Sequence, residues 1–262
     1  MSRPLLSIVT PCLNGGATLP EALESVRSQG LGEAVEHIVV DGGSTDGTVE
    51  TLRVAPGVHW ESEPDRGLSD AMNKGVARAT GEYIGWLNAD DFYLEGGLSR
   101  VRDALTQNPG ALWLSAPCLI VDGNGREIRR WVTTYKRFFL RRYRRGTLLI
   151  QNYIAAPATF VRRDAILEAG GFDERFRYSM DYDLWLRLAK REAPVLLDEP
   201  VAAFRMAEGS LSMTGFSGQF REHAQNAREH GSDLPVAMVA NQFVSRLIVL
   251  VYRLMRVFTH AR

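Results

Sequence analysis

Two short polar clusters, each closing an apolar run, are the places where this sequence could do chemistry. Asn88-Ala-Asp-Asp91 follows Tyr83-Ile-Gly-Trp-Leu87, and consecutive carboxylates repel each other unless something positive neutralises them. A hard divalent cation bridging to a diphosphate meets that need, Mg2+ or Mn2+ serving as Lewis acid for the leaving group. A solvated acidic turn is the other reading of the same four residues. Asp41-Gly-Gly-Ser-Thr-Asp-Gly47 follows His37-Ile-Val-Val40. A carboxylate there can accept hydrogen bonds from a base imide or ribose hydroxyls while the glycines let a ligand approach. A turn capped by Asp46 accounts for the segment equally well.

The elements that must position these clusters alternate. Leu5 to Thr10 reads as a buried strand, and Thr18-Leu-Pro-Glu21 opens a helix with capping-box spacing and apolar Leu19, Ala22, Leu23 and Val26. The strand His37 to Val40 leads into a helix from Asp46 to Leu52. A short strand at Val58 to Trp60, a helix at Ser69 to Ala79 and the strand Tyr83 to Leu87 continue the pattern. Such alternation builds a mostly parallel, Rossmann-like α/β sheet with helices on both faces, and ligands sit beyond the carboxyl ends of its strands. Thr10, Asp41, Asn88, Asp90 and Asp91 fall there.

After a helix at Gly97 to Gln107 the second half is mixed α+β. Leu112 to Val121 and Glu127 to Val132, separated by Asp122-Gly-Asn-Gly125, read as a hairpin. A strand at Ala158 to Val161, a helix at Asp164 to Ala169, a helix at Asp181 to Lys190, strands at Val195 to Leu197 and Val201 to Arg205, and two closing helices follow. The expected organisation is a first half over 1–110, a second half of the same domain over 111–215, and a helical tail over 216–262.

Composition narrows the partners. The chain of 262 residues has a net charge of zero, but 1–125 carry 8 basic and 17 acidic side chains while 126–262 carry 23 and 14. The second half is thus the one to meet an anion. Two cysteines without metal-type spacing, no signal peptide and no run of about 20 apolar residues give a cytoplasmic setting as the expectation.

Taken in order, the motifs resemble the inverting family-2 glycosyltransferases, which have the GT-A nucleotide-diphospho-sugar transferase fold. Ser7-Ile-Val-Thr-Pro-Cys-Leu-Asn14 is similar to the family's opening strand, and Ile38 to Thr48 to its nucleoside-binding segment. Gly67 to Gly75 and Ala79 to Asp91 resemble the approach to its Asp-x-Asp metal motif. The resemblance implies that Thr10, Pro11, Asp41 and Asn88 serve the nucleotide sugar and that Asp90 ligates the metal. Asn88 stands where the motif's first acid is usual, so one charge is missing.

Gly171 to Arg187 resembles the acceptor-side segment, with Met180-Asp181 in place of a Glu-Asp pair. On that resemblance Asp181 is the general base that takes the acceptor hydroxyl's proton; capping of the helix running to Lys190 is the plainer role. Val201 to Ser212 resembles the closing strand and loop, where Arg205 would face the diphosphate and Ala207 replaces a histidine ligand. The implied reaction is an inverting, metal-assisted transfer from a nucleotide diphosphosugar, UDP-linked by preference, to a hydroxyl of a glycan or lipid-linked acceptor, with 1–110 as the donor-binding half and 111–215 as the acceptor-binding and catalytic half. A sugar nucleotidyltransferase is the rival on the same fold, but Pro11-Cys-Leu-Asn-Gly-Gly16 lacks the Lys or Arg of its phosphate loop. A non-catalytic nucleotide-sugar binding protein is the third reading.

Between Arg126 and Arg145 lie nine basic residues and one acidic, interleaved with Trp131, Tyr135, Phe138, Phe139, Leu140 and Tyr143. With no nucleic-acid motif and a neutral chain, an anionic lipid surface or lipid-phosphate acceptor suits this run better than nucleic acid. The apolar stretch Val236 to Phe258 places Arg246, Arg253 and Arg256 on one helical side, as in an interfacial helix at the inner face of a membrane; packing in a homo-oligomer is the alternative.

Overall fold

The computed structural model describes residues 3–206 and 215–259, with 216, 217 and 250–259 as backbone only. Its frame is a seven-stranded sheet in the order β3-β2-β1-β4-β8-β6-β9. Strands β1 (Leu6–Cys12), β2 (Val35–Asp41), β3 (Val58–Ser62) and β4 (Tyr83–Trp86) run parallel. Every residue of β1 is buried, which is why it reads as a continuous apolar run rather than an alternating one. Helices α1 (Leu19–Arg27), α2 (Thr48–Val54) and α3 (Leu68–Arg78) are the crossovers, and α4 (Gly97–Gln107) follows β5 (Phe92–Tyr93). The register pairs Cys12 with Asp41 and Asp41 with Ser62. The amide of Leu87 donates to Val9 O at 3.0 Å. One sheet edge therefore carries Pro11, Cys12, Asp41 and the segment after Leu87.

The second half completes the same sheet. β6 (Trp113–Ser115), β8 (Thr159–Arg162) and β9 (Val195–Leu196) add to it, β8 running against both neighbours. A three-stranded sheet sets β10 (Ala202–Arg205) between β5 and β7 (Cys118–Val121). The remaining helices are α5 (Arg130–Arg141), α6 (Arg145–Ile150), α7 (Arg163–Glu168), α8 (Met180–Ala189), α9 (Phe216–His230) and α10 (Pro235–Thr259). Trp113 of β6 stacks on Trp185 of α8 at 5.8 Å between ring centroids, joining sheet and helix in one core. No helix among the described residues is long and apolar enough to cross a membrane.

Three local expectations are corrected. Thr18 precedes α1 without a side-chain cap bond, because its hydroxyl turns back to Gly15 O at 3.5 Å. Leu112 to Val121 is two strands in two sheets, since Ala116-Pro117 bends the chain out of the first. The hairpin stops after one bridge, Val121 with Glu127: Arg129 adopts φ 50° and the chain enters α5. The basic and aromatic run is consequently helical, which period-2 reading could not anticipate.

Candidate active site

A cleft of about 890 Å3 opens at the carboxyl edge of the sheet. One bank is built by the parallel strands and includes Pro11, Asn14, Asp65, Asn88 and Asp90. The other comes from the second half and includes Lys136, Asn152, Asp181 and His223. The two acids carrying the expected chemistry, Asp90 and Asp181, thus line one cavity, one contributed by each half of the chain.

After β4 the successive carboxylates part company. Asp91 turns inward, is 1 % exposed, and accepts from Asn88 Nδ2 at 2.7 Å and the Arg205 amide at 2.9 Å. Burial and the neighbouring Asp90 charge push its pKa well up. Asp90 turns toward the cleft, and its pKa is raised chiefly by loss of solvent. Asn88 is oriented by Trp86, whose Nε1 donates to Asn88 Oδ1 at 2.7 Å. Asn88 therefore fixes the turn, holding Asp91 in so that Asp90 faces out.

Whether this bank suits a divalent cation follows from its donor set. Asp90 presents a hard carboxylate that loses solvent without gaining a side-chain donor among the described residues. No trio of His, Cys, Asp or Glu gathers to cage an ion among those residues. The arrangement fits Mg2+ or Mn2+ held by one carboxylate with ligand phosphates and water completing the shell.

The other expected donor-side residues lie differently. Pro11 lines the cleft. Thr10 is fully buried and its hydroxyl shares a hydrogen bond of 2.9 Å with His37 Nε2. Asp41, also fully buried, is engaged by its own loop and by the end of β3: Gly43 N, Ser44 N and the Ser44 and Ser62 hydroxyls donate to it. Thr10 thus ties β1 to β2 and Asp41 shapes the loop after β2; neither lines the cleft. Asp46 Oδ1 takes the Thr48 amide at 3.2 Å, but the N-cap of α2 is Gly47 in the left-handed region, so Asp46 sits one residue before the cap expected of it. Arg205 is 4 % exposed. Its Nε donates to Asp90 O at 2.9 Å, one terminal nitrogen to Gly123 O at 2.6 Å and the other to the Glu21 carboxylate. A guanidinium so engaged steadies the Asp90 turn from behind; a phosphate contact would require those bonds to break. Ala207 lies outside the described residues.

Across the cleft, Asp181 is the second residue of α8, where the helix dipole favours a carboxylate. Loss of solvent outweighs that effect and the nearby Lys136 charge, raising its pKa to about 6. Asn152 Nδ2 approaches Asp181 Oδ2 at 3.4 Å. Asp183, two residues on, points into the core, where Arg187 holds it at 2.6 Å and His230 at 2.7 Å.

Sequence reasoning missed the part played by α9. Glu222 accepts the amides of Arg177, Tyr178 and Ser179 at 3.1, 2.8 and 3.0 Å. Asn226 donates to Ser179 Oγ at 2.9 Å, and His230 meets Asp183. Residues 222, 226 and 230, spaced four apart, clasp the segment that delivers Asp181. That spacing of polar residues was visible in the sequence, although an exposed face would show it too.

Comparisons with known proteins place the chain by family and fold. The profile described as Glycosyl transferase family 2 matches residues 7–170. A PGL/p-HBAD biosynthesis glycosyltransferase of Mycobacterium bovis is 30% identical over 261 residues, spanning 95% of this chain and 96% of that protein. Among solved structures, the mannosyltransferase PcManGT of Pyrobaculum calidifontis with GDP-Man and Mn2+ superposes at TM-score 0.67 and 16% identity, covering 98% of this chain and 81% of that one. A fragment of S. aureus TarS with UDP-GlcNAc gives 0.66 at 18% identity, covering 84% of this chain and 66% of that one. Both neighbours share the GT-A fold. With the family profile spanning most of the chain and a relative aligned along nearly all of it, this protein belongs to glycosyl transferase family 2.

Proposed function

We propose that the protein moves a sugar from a nucleoside diphosphate donor, UDP-linked by preference, onto a hydroxyl of a glycan or lipid-linked acceptor in one inverting displacement. The observation that carries this reading is that Asp90 from the first half and Asp181 from the second line the same cleft. The complexes of PcManGT with GDP-Man and Mn2+ and of TarS with UDP-GlcNAc support a nucleotide-sugar donor and a metal.

In this reading Asp90 and the loop edged by Pro11 and Asn14 receive the diphosphate side of the donor. A Mg2+ or Mn2+ ion held by Asp90 would neutralise charge on the departing diphosphate. Asp181 Oδ accepts the proton of the attacking hydroxyl as the new glycosidic bond forms and the sugar–phosphate bond breaks. A carboxylate with a pKa of about 6 is ionised at neutral pH yet a stronger base than an ordinary aspartate. Asn152 orients it, and the desolvated wall keeps water from competing for the anomeric carbon.

Peripheral attachment to an anionic membrane is supported by the exposed stripe Trp131, Tyr135 and Phe138 on α5 and by Val236, Val239, Phe243 and Leu247 on α10. Arg253 and Arg256 lie where side chains are not described. The test of the main reading is nucleoside diphosphate release from UDP-glucose, UDP-GlcNAc and GDP-mannose with Mn2+ present. Saturable binding without release from any donor would make the protein a binding module instead.

A further inference from the structure

The acceptor end of the cleft holds polar groups that the reaction just described does not use. His223 lies on α9, 7 % exposed, on the cleft wall, and its Nε2 is buried without a hydrogen-bond partner. A buried imidazole nitrogen left unpaired is costly, so a hydrogen-bonding partner is expected to reach it from the cleft. The ring is not loose. It packs at 4.8 Å from the Tyr182 ring and 5.4 Å from Phe220. The clasp of Glu222 and Asn226 on residues 177–179 fixes the helix on either side of it. Gly218 allows that close seating, because a Cβ there would lie 2.6 Å from the Tyr178 ring. Burial lowers the His223 pKa to about 4, so the ring is neutral at physiological pH and can give or take one hydrogen bond.

The same cleft carries apolar lining beside its polar groups. Val132 and Leu140 flank Lys136 at four-residue spacing on α5, Tyr153 and Ile154 follow Asn152, and Met180 precedes Asp181; all of them line the cleft. Lys136, Asn152 and Asp181 each thus have an apolar cleft-lining neighbour on their own element, while Thr133, Arg137 and Gln219 keep part of the wall polar. Small-molecule sites with a few converging polar atoms in an apolar wall select ligands of matching pattern.

We propose that His223 is an acceptor-binding residue whose Nε2 hydrogen-bonds a hydroxyl of the acceptor beside the one Asp181 deprotonates, and that the acceptor carries its hydroxyls on an apolar body that fills the wall formed by α5 and residues 153–154. This deepens the transferase reading and rests on it: α9, which lies beyond the residues matched by the family profile, becomes the element that chooses the acceptor. The hydroxyls are held by Asp181 and His223, and the apolar body excludes water from the base.

The probes are octyl β-D-glucoside and methyl β-D-glucoside, which share their hydroxyls and differ in the apolar body. Full-length protein with isotope-labelled histidine, saturated with UDP and Mg2+, is titrated with each while the imidazole nitrogens are followed by NMR, His223 being assigned through His223→Gln. The expected result is a shift of the His223 Nε2 resonance with octyl glucoside at concentrations at least tenfold below those needed for methyl glucoside. His223→Leu should weaken octyl glucoside binding about 3- to 10-fold, the loss of one neutral hydrogen bond, leave UDP affinity unchanged, and be rescued in part by His223→Gln. An unmoved His223 resonance, or equal affinity for the two glucosides, overturns the proposal even if His223→Leu fails to fold, since the parent decides it. Failure of UDP to bind the parent would instead refute the transferase reading, a separate outcome.

Discussion

Replacing Asp181 with asparagine should separate chemistry from stability in opposite directions. The amide keeps the shape at the start of α8 but cannot accept a proton, so transfer should fall on the order of 10²–10⁴-fold while donor affinity stays within a few-fold. The stability side follows from the raised pKa. In the unfolded chain the carboxyl titrates near 3.8, in the fold at about 6. The folded state thus prefers the protonated form, and ionised Asp181 costs stability that is absent below pH ~4 and fully present above pH ~6. The complete difference corresponds to ~3 kcal/mol. Partial exposure of the side chain screens it, and the variant forfeits about 0.5 kcal/mol of helix-dipole interaction. A net gain of about 1–2 kcal/mol at neutral pH remains, a rise in Tm of roughly 2–8 °C, vanishing below pH ~4. The parent's transfer rate should decline as pH drops through about 6. Thermal unfolding against pH and single-turnover transfer check both halves. Retained turnover with lowered stability would mean that Asp181 is a helix cap and the base lies elsewhere.

Asp183→Asn should act on folding, because it breaks a buried carboxylate shared by Arg187 and His230; a loss of about 2–4 kcal/mol by denaturant titration is expected, with turnover per folded molecule largely kept. Glu222→Gln should lower turnover roughly tenfold with donor affinity unchanged, since loosening the 177–179 amides shifts Asp181 from its attack position, as steady-state kinetics would report. The triple change Trp131→Ala, Tyr135→Ala, Phe138→Ala should reduce sedimentation with anionic vesicles about tenfold; binding unaffected by the triple change and by salt would remove α5 from any membrane contact.

The parallel half was legible because each strand there is a buried run ending in a turn of glycines and acids. Phe160 of β8 was readable as strand but not as the reversed neighbour of Gly85, since nothing local encodes which edge a strand joins. Residues 126–145 show a physical limit of another kind: an Asp-Gly-Asn-Gly turn predicts a hairpin, yet tertiary context ends the ladder at Glu127 and the amphipathic run folds as α5. At the site, Asp90 and Asp181 were identified by residue type and resemblance, and the fold brings them to one cleft. Arg205 was legible as important but not in its task, because whether a guanidinium faces a ligand or three protein oxygens depends on the path of β10 beside β5. His223 and Glu222 were not singled out, for a helix of mixed polar residues near a chain end gives no signal of facing inward.

The donor site is where the account is most directly exposed. Calorimetric titration of UDP into the parent and into Asp90→Ala, with and without Mn2+, should give Mn2+-dependent binding in the parent that is lost in the variant, with the same fold by circular dichroism. Equal, Mn2+-independent affinity in the two proteins would contradict an Asp90-held cation and the division of labour between the banks.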